Sequence, residues 1–450
     1  MAEQRGRSET DQPSGLRRPW SRSERPLPRL VLRPLQDFLH TEASSGILLV
    51  LAAVVALAWA NLAAGSYDRV WHTRLTVGLG RWMIEEDLRH WINDAAMALF
   101  FFVVGLEIKR ELISGELRDP RALVLPALAA LGGMLVPALV FLAINPGDVA
   151  SRGWAIPMAT DIAFAVGVLS VVGRGSPPGL KLFLLTFAII DDIGAILVIA
   201  VFYAGSISFV ALGIAAALLV VMIVFRRMNV RAGAVYLILG IGVWLAVFES
   251  GVHATIAGVL LAFVTPAVAF QRPRAVTEEA RRVADETSDH PAPADSDAHH
   301  WLHLARLSRE TVSPLVRLEE ALHPWTSYVI VPLFALANAG VRITGDGFQS
   351  PTSLRVGFGV VVGLVLGKVM GVSLGAFVAT RLGAHLPTGV VWRQMIGVAA
   401  IGGIGFTVSL FIANLAYTDE TLLHAAKLGI LVGSLISGIA GSVLIARAHR

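Results

Sequence analysis

Ala188-Ile-Ile-Asp-Asp-Ile-Gly-Ala195 puts two adjacent carboxylates in the middle of an apolar run covering residues 179–203. A helix of about 20 apolar residues crosses the hydrocarbon layer of a bilayer, so this run reads as a membrane span. A charge at the bilayer centre costs about 2.5–3.5 kcal/mol even on insertion-based scales. Such residues persist where they line a water-filled path or pair with one another. Neighbouring helix positions differ by about 100°, so Asp191 and Asp192 point in different directions. One is free to face an ion and the other a partner. At any moment at least one must be protonated, paired or ion-bound. A double acid is a poor way to fill an apolar helix.

Three further stretches extend this reading. Asp161 lies in Pro157-Met-Ala-Thr-Asp-Ile-Ala-Phe164, within an apolar segment at 154–173. Pro157 removes a backbone donor and frees a carbonyl, and Thr160 adds a hydroxyl. A helix break here would gather oxygen ligands beside a carboxylate, which suits a hard cation. The plainer alternative is a helix-capping Asp at a membrane surface. Lys368, in Leu364-Val-Leu-Gly-Lys-Val-Met-Gly371, sits inside the segment 355–381 and has one of these carboxylates as its natural partner. Snorkelling to an interface is the alternative. Gly397-Val-Ala-Ala-Ile-Gly-Gly-Ile-Gly-Phe-Thr-Val-Ser409 permits either close packing or an unwound stretch. Two interrupted helices in corresponding positions of two halves point to a transport site.

Composition agrees. Hydrophobic residues make up 55% of the 450 and charged residues 16%, well under the quarter typical of soluble domains. The net charge is 37 − 33 = +4. The arginines cluster at the ends and between apolar runs, which argues against nucleic acid as a partner and for the lipid bilayer. With no cysteine there is neither a disulfide framework nor a thiolate metal site. The expected organisation is all-α and polytopic, with about twelve spans. Residues 1–40 form a disordered basic tail, 41–270 hold spans one to eight, 271–317 a hydrophilic loop, and 318–450 spans nine to twelve. Lys109, Arg110, Arg118 and Arg121, then Arg174 and Lys181, then Arg226, Arg227 and Arg231 fall in loops on the side of the N-terminus. This bias puts both termini in the cytoplasm of a cell-membrane protein. The first external loop alternates between Trp71 and Val77, so a hairpin is expected within 66–90. It reads as a surface loop or as a homodimer contact. His290, His299, His300 and His303 in the 271–317 loop allow metal binding, but no ligand spacing recurs and solvated disorder is the expectation.

Two stretches with ionisable residues remain. Glu107, Arg110 and Glu111 end the second span in Gly105-Leu-Glu-Ile-Lys-Arg-Glu111, as a mouth cluster or an ordinary charged helix end. His253, in Ser250-Gly-Val-His-Ala-Thr255, is either a pH-responsive or a structural histidine.

These segments together resemble the NhaA-type sodium/proton antiporters. The matching stretches are Ala159-Thr-Asp-Ile-Ala-Phe-Ala165, Ala188–Ala195, Val104-Gly-Leu-Glu-Ile-Lys-Arg-Glu111, Ser250–Thr255, Pro332-Leu-Phe-Ala-Leu-Ala-Asn-Ala-Gly340 and Leu366-Gly-Lys368. The resemblance runs from about residue 40 to 445. It implies twelve helices with inverted-topology repeats, spans three to five pairing with ten to twelve, and two interrupted helices crossing near the site. That architecture is carried over from the family rather than read from these residues. It implies a non-enzyme without cofactors that exports Na⁺, and Li⁺, in exchange for protons. Exchange would be pH-regulated and electrogenic, two protons in per sodium out, serving sodium and pH homeostasis. Asp192 would be the principal ion and proton carrier, with Asp161 and Thr160 beside it and Asp191 paired to Lys368. Glu107, Arg110, Glu111, Glu319 and His323 would form a pH-responsive cluster, with His253 acting separately. One departure is that Val316 and Glu320 stand where the family often carries Lys and His, which bears on the pH threshold. A sodium-coupled solute symporter is the alternative, although no organic-substrate pocket is evident. An intramembrane aspartyl protease would also use two aspartates, but Lys368 opposes that chemistry.

Overall fold

A backbone at bilayer depth must satisfy its own hydrogen bonds, so the apolar runs become helices. The computed structural model describes residues 42–79, 82–173, 175–288, 295–343 and 350–448. The tail expected over 1–40, Arg174 and His290 lie outside the described residues. Among those described, seven helices are long and apolar enough to cross a membrane. They are α1 (Glu42–Leu62), α3 (Leu88–Ser114), α4 (Pro120–Ile144), α7 (Pro178–Phe202), α8 (Phe209–Arg227), α15 (Pro351–Arg381) and α18 (Glu420–Ala448). Two bent pairs raise this to nine: α5/α6 (Val149–Met158 and Ile162–Val172, 42°) and α16/α17 (Trp392–Ile401 and Phe406–Ala416, 46°).

The three other apolar segments form shorter elements: α9 (Gly233–Glu249), α10 (Thr255–Val264) and α14 (Val331–Asn338). The causes are local. Gly251 turns the chain at φ 78° between α9 and α10. Pro266 follows the end of α10. α14 is preceded, through a π turn at Thr326–Ile330, by the charged α13 (Pro314–Trp325). After the short α2 (Ala64–Trp71), β1 (Arg74–Leu79) and β2 (Trp82–Asp87) pair antiparallel, Val77 opposite Ile84 and Leu79 opposite Trp82.

The hydrophilic insertion differs from the solvated disorder expected of it. It contains α11 (Pro273–Ser288) and α12 (Asp295–Glu310), packed on each other. Val276 and Val283, seven apart on one face of α11, are both buried. Leu304 and Leu307 of α12 are half-buried, so both helices of the pair carry apolar side chains out of solvent.

What positions the centre is the contact of α15 with α4. A Cβ at Gly132 would strike the Gly371 carbonyl, and a Cβ at Gly371 the Gly132 carbonyl. Two backbones meet there with no room for side chains. A π turn at Gly363–Gly367 then delivers Lys368 to the interior.

Candidate functional site

Both bent pairs break where their chains cross. The first is 3₁₀ over Arg152–Met158, extended at Ala159 and Asp161, and helical again from Ile162. The second breaks at Gly402–Gly405. Unwinding strips backbone groups of partners, and both breaks are buried away from solvent that could replace them. Each break supplies the other. The Asp161 amide donates to the Ile404 carbonyl at 2.7 Å. The Thr160 hydroxyl donates to the Gly402 carbonyl, and that of Ser409 to the Ile156 carbonyl, both at 2.7 Å.

Asp161 sits at the crossing, 3% exposed. One carboxylate oxygen accepts from the Phe164 amide at 3.0 Å, capping α6. The other accepts from the Thr407 hydroxyl at 2.6 Å and the Thr407 amide at 3.2 Å. Asp161 is thus a helix cap, but an interior one that holds the start of α17 as well.

The adjacent pair on α7 divides as a 100° rotation requires. Asp191 and Lys368 are both fully buried and form an ion pair, Nζ lying 3.0 and 2.9 Å from the two carboxylate oxygens. Lys368 Nζ also donates to the Met158 carbonyl, the last residue of the 3₁₀ turn, and lies 5.6 Å from the Phe187 ring centre. Asp192 is 6% exposed, and its Oδ1 is buried with no hydrogen-bond partner. It lies within electrostatic range of Asp191, Asp161, Glu107 and Lys368. A buried, unpartnered carboxylate oxygen is costly unless a proton or a cation comes to it.

Glu107, Arg110, Glu319 and His323 line a cleft of about 370 Å³ with Glu320 and Pro324. The Arg110 guanidinium donates to Glu319, and to Glu111 at 3.4 Å. Glu319 Oε2 is buried without a partner. Burial pushes the Glu319 carboxyl above its ordinary range, Arg110 opposing and Glu111 and Glu320 adding to the rise. His323 meets the cleft on an exposed side, yet burial of part of its ring and the Arg110 charge hold it below the usual imidazole value. His253 is elsewhere: its Nε2 lies 2.6 Å from the Tyr203 carbonyl, at the end of α7.

Thr407, Ser409 and the Met158 carbonyl were not singled out from sequence. The signal was present for the first two: both hydroxyls fall within five residues of the glycine run whose break they help to close.

The chain matches the family described as Na⁺/H⁺ antiporter 1 over residues 36–445. It is 48% identical over 421 residues to a Sorangium cellulosum protein named Na(+)/H(+) antiporter NhaA 2, covering 92% of this chain and 90% of that one. It is 45% identical over 426 residues to an Oleidesulfovibrio alaskensis protein named Na(+)/H(+) antiporter NhaA, covering 92% and 94%. A Rhodopirellula baltica protein of the same name is 47% identical over 421 residues, covering 92% and 94%.

Proposed function

The chain belongs to the Na⁺/H⁺ antiporter 1 family, and on that premise we propose that it exports sodium from the cell in exchange for protons, with Asp192 and Asp161 as the shared binding groups. The unpartnered Oδ1 of Asp192, buried beside the crossing of two broken helices, is the observation that carries this reading. A carboxylate takes a proton or helps to hold Na⁺, never both together, so competition for one site couples the two flows. Thr160 and Asp161 supply oxygen ligands of the type hard cations require. Lys368 neutralises Asp191, which leaves the charge of Asp192 to the transported ions. Lys368 is also a second proton carrier, because a buried ammonium gives up its proton when a cation enters nearby. Two protons inward per sodium outward then moves net charge and responds to membrane potential.

Li⁺ follows Na⁺ in this scheme, being another hard cation. The cluster of Glu107, Arg110, Glu111, Glu319 and His323 lines the cytoplasmic entrance and sets the pH of activation, with His253 acting from the far end of α7. Both termini are cytoplasmic, in a twelve-span arrangement with inverted repeats. A homodimer contact through the β1–β2 hairpin is supported by exposed Leu75, Val77 and Met83, and cross-linking in native membranes tests it. The deciding experiment is proton release from reconstituted vesicles on addition of Na⁺. Asp192→Asn abolishes it; normal exchange by that variant would reject the assignment.

A further inference from the structure

Exchange requires the site to open to one side at a time, and the seal against the second side has a definite composition. Thr407, Phe411 and Asn414 follow each other at i, i+4 and i+7, on one face of α17. Thr407 touches Asp161. One turn on, the Phe411 ring lies 5.5 Å from Phe101 of α3 and 6.3 Å from Phe334 of α14. All three rings are buried. One turn further, the Asn414 amide donates to Asn338 Oδ1 at 2.9 Å, and the Asn338 amide donates to Asn93 Oδ1 at 2.8 Å. Asn338 is buried, while Asn93 and Asn414 are half-buried. The site is therefore closed by an apolar layer and then, outside it, a chain of three asparagines.

This double layer lies opposite the cleft. Asn93 precedes Glu107 on α3 and Asn338 follows His323 on the α13–α14 helix, each by some 14 or 15 residues, which is about 21 Å of helix. Asn93 and Asn338 belong to the two helices that line the cleft; Asn414 belongs to the helix that holds Asp161. We infer that the Asn338–Asn414 contact is a latch on the outer exit, parting each time the ion leaves and re-forming before the next one enters. Side-chain amides suit that duty. They carry no charge at any working pH, so they compete for neither proton nor sodium. When they part, water takes over their hydrogen bonds, so opening leaves no buried group unsatisfied. Asn93 stays with Asn338, steadying the half of the latch that does not move. The inference rests on the proposed exchange and on the proposed orientation.

The chain has no cysteine, so introduced thiols can be read against no background. In vesicles, the full-length Asn338→Cys/Asn414→Cys protein loses Na⁺-driven proton release once a short bifunctional thiol reagent joins the pair, and regains it on cleavage of the link. The Asn93→Cys/Asn338→Cys protein, joined likewise, exchanges no more slowly after joining than before it. Continued exchange by the first joined pair, or slowing of the second, overturns the latch. A readout without turnover stands beside this one. A thiol placed by Thr407→Cys, on the same face of α17 as Asn414, reacts several-fold faster with an impermeant maleimide outside intact cells when Asn414→Ala is added; an unchanged rate overturns the latch. A wild-type protein without any exchange would sink the proposed function, while the labelling would still judge the latch.

Discussion

Lys368 has two contacts to keep: it neutralises Asp191 and it holds the Met158 carbonyl at the end of a broken helix. Removing one member of a buried pair strands the other charge, at a cost of about 3–5 kcal/mol. Lys368→Ala should therefore lower the thermal unfolding temperature in detergent markedly. Lys368→Met/Asp191→Asn should recover much of the loss while remaining impaired in exchange. Equal stability of the wild type and the single variant would mean that the pair is not buried as described. Glu319 gives a prediction in pH. Its folded carboxyl keeps its proton to higher pH than the unfolded one, whose ordinary value is 4.5. Above that value the native state binds more protons than the unfolded state, so stability falls as pH rises through the window. Glu319→Gln lacks this fall. The unfolding temperature of the variant relative to wild type should rise as pH is raised from about 4.5; a constant difference across the pH series would contradict it.

At the scale of elements, the crossing of α5/α6 with α16/α17 rests on a few side chains, of which Thr407 is the most exposed to test. Thr407→Val keeps the shape but takes the hydroxyl from Asp161, leaving its Oδ2 with the Thr407 amide alone. The expected loss is about 1–3 kcal/mol of stability, with a higher Na⁺ concentration needed for half-maximal proton release. Thr407→Ser should restore both. The break near Pro157 was legible, because proline acts through local backbone chemistry, whereas the glycine run left close packing and unwinding both open. The charges at Asp161, Asp191, Asp192 and Lys368 were legible too, since a charge inside an apolar run stands out against its neighbours. The partners were not. That Thr407 meets Asp161, 246 residues away, or that Asn414 meets Asn338, depends on how helices pack, and nothing periodic in the chain encodes it. The helices of the insertion were hidden for another reason. Their composition is largely that of a solvated segment, and the spacings Val276–Val283 and Leu304–Leu307 are the sparse signs of a packed face.

For the whole molecule, the close approach of α4 and α15 places Lys368 near α7. Gly371→Leu should push the two helices apart and move the lysine from Asp191. Loss of folded protein on size-exclusion in detergent would be the readout, with Gly213→Ala, where an added Cβ on α8 meets nothing, as a comparison outside the contact. The insertion behaves differently, because its ends are already joined. The Phe270 and Gln271 amides both donate to the Glu310 carbonyl at 3.1 Å, and Arg231 holds the Glu310 carboxylate at 2.7 Å. Chain that leaves and returns through one doorway is an appendage: it can be lengthened, exchanged or excised, and the membrane part has no need to learn of it.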